Sequence, residues 1–322
     1  MRFGLFNFNK MKVFLKNIFY FSISFLLLFA FLEFKLSHLN NSYKYKRECL
    51  ESKLDSIEIL VLGASGMTQG VDPSNFKLYG YNLSNVSQTL FYDCRLTLKY
   101  LDRMPNLKFV VIGLSYTSFG EQLFDGIEFW RDFFYFQFWD INYPETKKYD
   151  LRKYSKYFLY GPENTFTFLK QNFKGNQISG FKENGFLWTD SLQNNPSICF
   201  EKGFQNVRHH NTEFKLNRIN ENKKDLMELI SKLKEKNITP ILITPPIYKT
   251  YSIYMSDQIQ KINSTLIRSI TDSFHCAYSD YSHSSIFNKK DFYDNNHLNF
   301  IGARKLSLLI NEQISNSPKP SH

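Results

Sequence analysis

The feature that most restricts how this chain can fold is a long apolar segment close to its N-terminus. Residues 11–34 read MKVFLKNIFYFSISFLLLFAFLEF, and no charged residue interrupts residues 18–32. A helix needs about 20 mainly apolar residues to cross the hydrocarbon of a bilayer, and Lys16 can extend its charge toward the headgroups. A helix that is apolar on every side does not suit the surface of a soluble domain. We therefore predict a transmembrane anchor at residues 13–34.

Basic residues around this segment indicate its orientation. Those before the uncharged run are Arg2, Lys10, Lys12 and Lys16, and those after it are Lys44, Lys46 and Arg47. By the positive-inside rule, the four basic residues before the run put residues 1–12 in the cytoplasm, and the three after it count against this orientation. This predicts a single-pass protein of the inner (cytoplasmic) membrane with a periplasmic or extracellular C-terminal domain. A cleaved signal peptide is the alternative, but no small-x-small cleavage site follows Leu32, which favours an uncleaved anchor.

The composition of the remaining chain indicates a folded domain. Hydrophobic residues make up 43% of the 322 residues, which is too many for a disordered chain. Residues 35–55 are polar and charged and predict a stalk, followed by one domain at residues 56–322. The formal charge of +10 comes from scattered basic residues, many of them near the N-terminus. It indicates a membrane face or an anionic glycan, and we predict no nucleic-acid partner.

Beyond the stalk, short apolar runs alternate with helical patterns. The expected strands are residues 57–62, 80–83, 108–114, 238–244 and 274–278. Helices are expected between them and at the C-terminal end, in residues 88–104, 221–236, 254–271 and 302–314. This order predicts an α/β domain, a three-layer sandwich with a central parallel sheet and helices on both of its faces. Residues 119–220 lack the alternation and are rich in aromatic residues, so we predict that they form an insertion that caps the domain.

Neither the cysteines nor the histidine pair has the spacing of a metal site. Cys49, Cys94, Cys199 and Cys276 form no CxxC pair, and small buried side chains are a better interpretation than a disulfide scaffold. One disulfide stays possible in a periplasmic domain. His209 and His210 have no third ligand at a suitable spacing, which favours a solvated loop. We predict no metal and no cofactor.

The first strand leads into a serine. Residues 61–66 read VLGASG, which places Ser65 at the carboxyl end of a parallel strand, where α/β folds bind their ligands. Small neighbours would let a substrate carbonyl approach the serine oxygen, and a following helix would favour negative charge there. Glycine-rich strand ends also bind phosphate or simply turn, so this motif alone leaves the alternatives open.

A second motif precedes the last predicted helix. Residues 291–299 read DFYDNNHLN, with Asp294 three positions before His297. This spacing lets the carboxylate contact one nitrogen of the imidazole and leaves the other free to act as a general base. A lone histidine near a helix start is otherwise usually structural. In combination with Ser65, the motif predicts a catalytic triad.

The two motifs together resemble those of the SGNH/GDSL hydrolase superfamily, in which the nucleophilic serine follows the first strand and a C-terminal DxxH motif supplies the other two groups. The chain looks most similar to the membrane-anchored SGNH-like proteins of bacterial surface-polysaccharide gene clusters. FYDNNHLNFIGA at residues 292–303 is the most specific likeness. The family's first block usually reads Gly-Asp-Ser, whereas here Ala64 replaces the aspartate. Asn85 and Ser115 are the nearest polar residues to the oxyanion donors that the family places after its second and third strands.

The resemblance implies an extracytoplasmic serine esterase or O-acyltransferase that acts on O-acetyl esters of a surface polysaccharide through an acyl-enzyme. Its partners would be a surface glycan or acylated sugar, the membrane, and a possible membrane-bound acyl donor. The alternative is a non-catalytic SGNH-like factor that binds or assembles a glycan.

Overall fold

The computed structural model describes residues 8–172, 180–188 and 202–317. These residues form two compact units. The anchor unit lies within Met1–Asn41 and Lys147–Gln177, and the sheet unit lies within Ser42–Thr146 and Ile178–His322.

The helices follow one another along the described chain. They are α1 (Phe8–Ser37), α2 (Ser42–Glu51), α3 (Ser65–Thr68), α4 (Leu90–Tyr100), α5 (Arg131–Trp139), α6 (Lys156–Tyr160), α7 (Pro162–Asn172), α8 (Gly203–Glu213), α9 (Ile219–Glu235), α10 (Lys249–Ser252), α11 (Asp257–Phe274) and α12 (Phe300–Asn316). The strands are β1 (Ile59–Leu62), β2 (Gly80–Asn82), β3 (Phe109–Gly113), β4 (Thr239–Thr244) and β5 (Ala277–Asp280).

The anchor unit is built on the long helix α1. Its segment Asn9–Ser37 has 29 residues and contains an 18-residue stretch with a mean hydropathy of 1.9, none of which is buried in the protein. At 1.5 Å per residue this segment is roughly 43 Å long, which is enough to cross a bilayer. Helices α6 and α7 pack against α1.

The sheet unit contains a five-stranded, entirely parallel sheet with the strand order β2-β1-β3-β4-β5. Strands β1 and β3 are direct neighbours in this sheet, with Leu62 paired to Ile112. The chain runs outward from β1 to β2 on one side, then crosses back to β3 on the other. Open parallel sheets bind ligands beside the carboxyl ends of the strands at such a reversal, so a ligand site is expected beside the residues that follow β1 and β3.

Helices cover both faces of this sheet, as the alternation of motifs predicts. One face carries Ile59, Val61 and Val111, which pack with Leu306 and Ile310 of α12. Because side chains alternate along a strand, the neighbouring residues point to the other face. On the second side of the sheet unit, α4 and α9 pack on each other, and α9 contacts β4.

The segment expected to be a stalk differs from that prediction. Residues 42–51 form α2, and its Lys46 is 1% exposed within the sheet unit. The ammonium group of Lys46 donates hydrogen bonds to the carbonyl oxygens of Asn82 and Ser84, and Tyr81 donates to the Lys46 carbonyl at 2.6 Å. Burial lowers the pKa of Lys46 to about 7. A polar composition predicts exposure, but here the lysine is paired with buried backbone oxygens.

The expected insertion at residues 119–220 is divided between the two units. Residues 147–172 belong to the anchor unit, whereas residues 119–146, 180–188 and 202–220 belong to the sheet unit. Of the cysteines, Cys49, Cys94 and Cys276 are free thiols, and Cys199 lies outside the described residues.

Candidate functional site

The site lies beside the carboxyl end of β1. After Leu62 the chain passes through Gly63 and Ala64, and Ser65 is the first residue of the short helix α3. Ala64, the residue just before the helix, has an extended backbone conformation. The strand and the helix therefore fix the backbone of Ser65 from both sides.

The turn before Ser65 requires a glycine. Gly63 has φ = +125°, a conformation that other residues rarely adopt. A Cβ atom on Gly63 would lie 2.8 Å from Cγ of Met67 and 2.9 Å from the carbonyl oxygen of Gly113. Both distances are shorter than van der Waals contact. The glycine lets β1 and β3 approach closely while the chain turns toward Ser65.

A buried carboxyl group holds this turn from behind. Oδ1 of Asp93 accepts hydrogen bonds from the Gly63 backbone N–H at 3.0 Å and from the Gln88 side chain at 2.6 Å. Burial raises the pKa of Asp93 to about 7, against the opposing effect of these two hydrogen bonds. Asp93 lies on the predicted helix α4, but its sequence surroundings give no sign of this positioning role.

Ser65, His297 and Asp294 form one continuous hydrogen-bonded chain. Oγ of Ser65 lies 2.8 Å from Nε2 of His297. Nδ1 of His297 lies 2.9 Å from Oδ2 and 3.1 Å from Oδ1 of Asp294. An ionised carboxylate can only accept, so Nδ1 carries the proton and the Ser65 hydroxyl donates to Nε2. The structure brings together all three residues that the two motifs single out.

The carboxylate of Asp294 is kept ionised by its own loop. Its Oδ1 accepts backbone N–H bonds from Asn296 at 2.9 Å and His297 at 2.8 Å. Burial raises the pKa of Asp294, but the neighbouring imidazole and these hydrogen bonds outweigh burial and bring the pKa below its usual value. The loop is itself held by Asn295, whose side chain accepts from Asn206 at 3.1 Å and whose carbonyl accepts from the Tyr248 N–H at 2.9 Å.

The start of α3 offers backbone donors beside the serine oxygen. Within the part of the chain that the structure describes, the N–H groups of Ser65 and Gly66 have no hydrogen-bond acceptor. The first N–H groups of a helix commonly lack a partner inside the helix, and they favour negative charge.

The two residues expected as oxyanion donors have different surroundings. Ser115 lines the cavity at Ser65, and its hydroxyl is within hydrogen-bond distance of the Thr117 and Ser118 hydroxyls. The Asn85 backbone N–H donates to the Gly63 carbonyl at 3.2 Å, and the Asn85 side-chain oxygen accepts from the Val86 N–H. Asn85 is not one of the described residues that line this cavity.

Ser87 is a residue of the site that the sequence motifs do not reveal. It lines the same cavity as Ser65 and has φ = +56°, a left-handed conformation that is uncommon outside glycine. Its hydroxyl donates to Glu128. Residues in such conformations are concentrated at functional sites. Here a serine adopts a backbone conformation that glycine favours, and no motif in the sequence marks this position.

Ser65 opens into a cavity of about 440 Å³. Its wall includes residues 121–123, 126 and 128 and residues 209, 210 and 213 from the expected insertion. It also includes residues after β3, β4 and β5, among them Ser115, Pro245 and Ser282. Part of the expected insertion therefore lies at the carboxyl edge of the sheet, beside Ser65.

The histidine pair lies in this wall on α8, not in a solvated loop. Burial lowers the pKa of His210 to about 4, so its ring is neutral at physiological pH, and its Nδ1 contacts the Tyr251 hydroxyl. Glu121 also lines the cavity, and burial raises the pKa of its carboxyl to about 7. These groups can exchange hydrogen bonds with a polar ligand. Their role depends on contacts between distant parts of the chain, which no local motif reports.

One group of possible metal ligands occurs among the described residues, away from this site. Cys94, Asp225 and Glu228 lie close enough together to share an ion. Arg95 already donates to Asp225 at 3.1 Å and to Glu228 at 3.3 Å. The guanidinium therefore supplies the positive charge that these carboxylates need, and the donor set does not fit a metal well.

Comparison with known proteins found no family model that matches this chain and no matching curated protein.

Proposed function

We propose that the chain is a membrane-anchored serine esterase or O-acyltransferase of the SGNH/GDSL kind. The observation that supports this proposal best is the hydrogen-bonded chain from Ser65 through His297 to Asp294, which opens into a cavity at the strand reversal. Serine, histidine and aspartate in this order of contacts are the groups that acyl transfer needs, whatever the fold.

The first half of the reaction forms an acyl-enzyme. Oγ of Ser65 attacks the carbonyl carbon of the ester while its proton moves to Nε2 of His297. The carboxylate of Asp294 stabilises the imidazolium that results. When the tetrahedral intermediate collapses, His297 returns the proton to the departing alcohol oxygen, and the acyl group stays on Ser65.

The second half releases the acyl group to an acceptor. His297 takes a proton from water or from a sugar hydroxyl, whose oxygen then attacks the acyl-enzyme carbonyl. The tetrahedral intermediate collapses by breaking its bond to Oγ of Ser65, and His297 returns the proton to that oxygen. Water gives hydrolysis and a free acid, whereas a sugar hydroxyl gives transfer. The backbone N–H groups of Ser65 and Gly66, with the Ser87 N–H and the Ser115 hydroxyl as further donors, would stabilise the oxyanion in both halves.

The substrate that we propose is an O-acetyl ester of a bacterial surface polysaccharide. The cavity wall combines carboxyl and imidazole groups with aromatic and apolar side chains such as Tyr116, Tyr251 and Met255. Sugars present hydroxyl groups at their edges and C–H groups on their faces, which suits such a mixed wall. The resemblance to anchored SGNH-like proteins of polysaccharide clusters supports the same substrate class.

The proposed location requires the sheet unit to be outside the cytoplasm. Alkaline phosphatase fused after His322 should be active, because it folds only after export, and a fluorescent protein that matures only in the cytoplasm should remain dark at the same position. The basic residues before the uncharged run are the reason for this expectation. The opposite pattern would contradict the orientation and the glycan substrate.

A covalent probe tests the function most directly. A fluorophosphonate should label the full-length protein in membranes at Ser65, because only a serine activated by a neighbouring base reacts readily. Labelling should disappear in Ser65→Ala and persist in the control variant Ser264→Ala. Ser264 lies in the same cavity wall, and among the described residues its hydroxyl donates only to the Lys261 carbonyl. A folded protein that takes up no probe would favour the alternative, a non-catalytic factor that binds or assembles a glycan.

A further inference from the structure

The anchor unit contains a second surface with its own chemistry, independent of Ser65. Glu33 lies one residue beyond the uncharged run of α1 and accepts hydrogen bonds from the backbone N–H groups of Lys156 at 2.8 Å and Tyr157 at 3.0 Å. The Ser155 hydroxyl also donates to Glu33. A carboxylate from one helix thus occupies the N-terminus of another, where negative charge is favoured. These bonds fix the start of α6 at the end of the apolar helix.

Aromatic contacts reinforce this attachment. The ring of Phe29 lies 5.8 Å from that of Tyr157 and 6.4 Å from that of Phe158, measured between centroids. Asn41 donates to the Tyr160 hydroxyl at 2.9 Å. If α1 crosses a bilayer, residues 155–158 must lie where the hydrocarbon meets the headgroups, because they contact Phe29 and Glu33 at the end of its uncharged run. Residues 147–154 directly precede them in the chain.

The side chains that this segment leaves exposed are unusual for a surface in water. Tyr149 is 83% exposed, Leu151 56% and Tyr154 64%. Residues 147–158 also contain five basic residues and one acidic residue, and Lys147 and Lys148 are both exposed. Exposed tyrosines and leucine beside lysines are typical of protein surfaces at a membrane interface. Lysine and arginine near such a surface are attracted by anionic lipids.

We propose that residues 147–158, which we call the collar, form a membrane-surface binding site for anionic phospholipid headgroups. Tyr149, Leu151 and Tyr154 enter the interface, and Lys147 and Lys148 contact headgroup phosphates. The collar then holds the end of α1 at a fixed depth. The proposal depends on α1 lying in a bilayer and not on the chemistry at Ser65.

Photo-crosslinking of the full chain tests this proposal. The protein is reconstituted into bilayers of phosphatidylcholine with and without phosphatidylglycerol, with p-benzoylphenylalanine at Tyr149 or Tyr154. Both positions should give lipid adducts, enriched in phosphatidylglycerol relative to its share of the bilayer. Leu216 and Ile253 are matched controls, because they are 63% and 68% exposed but lie in the sheet unit, and they should give few adducts. Phe21, in the uncharged run and 73% exposed, should give lipid adducts whatever the collar does.

Charge reversal supplies the second arm of the test. Lys147→Glu combined with Lys148→Glu should reduce the excess of phosphatidylglycerol adducts at Tyr154 several-fold. The control variant combines Lys224→Glu with Lys234→Glu, which change two exposed lysines of α9, and it should leave this excess unchanged. Lipid adducts at Phe21 without any at Tyr149 and Tyr154 would overturn the proposal. Protein–protein adducts at the collar in place of lipid adducts would overturn it as well, and would indicate a second copy of the chain.

Discussion

Ser65→Ala and His297→Ala should each lower ester hydrolysis by roughly 10⁶-fold, and the double variant should be scarcely slower than either one. The serine oxygen and its base act as a unit, since Nε2 of His297 lies 2.8 Å from Oγ of Ser65 and neither group activates the ester alone. Asp294→Asn should cost less, about 10⁴-fold, because the aspartate orients and stabilises the imidazole without reacting itself. The measurement is the turnover of an activated acetyl ester by the full-length protein in membranes.

Two results would distinguish this expectation from its rival. Ser65→Ala removes one hydroxyl beside the cavity and should leave folding intact, so lost activity can be attributed to chemistry. If the two single losses add in the double variant, the residues do not act as a unit. Unchanged glycan acetylation in cells that carry only Ser65→Ala would contradict the enzyme proposal and favour a binding or assembly role.

Gly63→Ala should destabilise the sheet unit by about 3 kcal/mol or more. The new methyl group would be forced against Met67 and the Gly113 carbonyl, at 2.8 and 2.9 Å, and the residue would keep a φ that alanine avoids. Strain at such a conformation costs about 1–3 kcal/mol, and overpacking adds a similar amount. Urea unfolding of the full-length protein, followed by tryptophan fluorescence, measures the change.

The matched control is Gly66→Ala, three residues along the same turn. Gly66 lies in α3 with a negative φ, and its new methyl group would lie 3.1 Å from Cγ of Pro245. Alanine favours the helix by up to about 1 kcal/mol, which offsets the tight contact. A Gly63→Ala protein that unfolds at the same urea concentration as the Gly66→Ala protein would show that the turn tolerates a side chain.

The sheet could be predicted from sequence because its strands are short, almost fully apolar runs. Strands β1, β3 and β4 all lie within the predicted ranges, and the helices between them follow from amphipathic spacing. Strand β5 begins a few residues later than the sequence predicts, because Ala277–Asp280 is only partly buried and carries no apolar run. The hydrophobic pattern of the sequence therefore locates the fully buried strands well and locates the edge strand β5 less well.

The proximity of Ser65, Asp294 and His297 could also be anticipated, since each motif lies next to an element whose place in a parallel sheet is fixed. Other features could not be predicted. Asp93, Ser87 and His210 acquire their roles from contacts made across the fold, and their neighbours in sequence do not indicate these contacts. Lys46 looks like a solvated charge until the buried carbonyl groups that it binds are known.

The distance along the chain between the two halves of the site has a consequence for synthesis. Ser65 and His297 are 232 residues apart, and their contact closes almost the whole sheet unit. Contacts of such long range form late in folding, because the chain must first lose the entropy of closing the loop between them. A chain still emerging from the ribosome or the translocon has the serine but not its base. The proposed nucleophile therefore stays unreactive toward cellular esters until the last helix has docked.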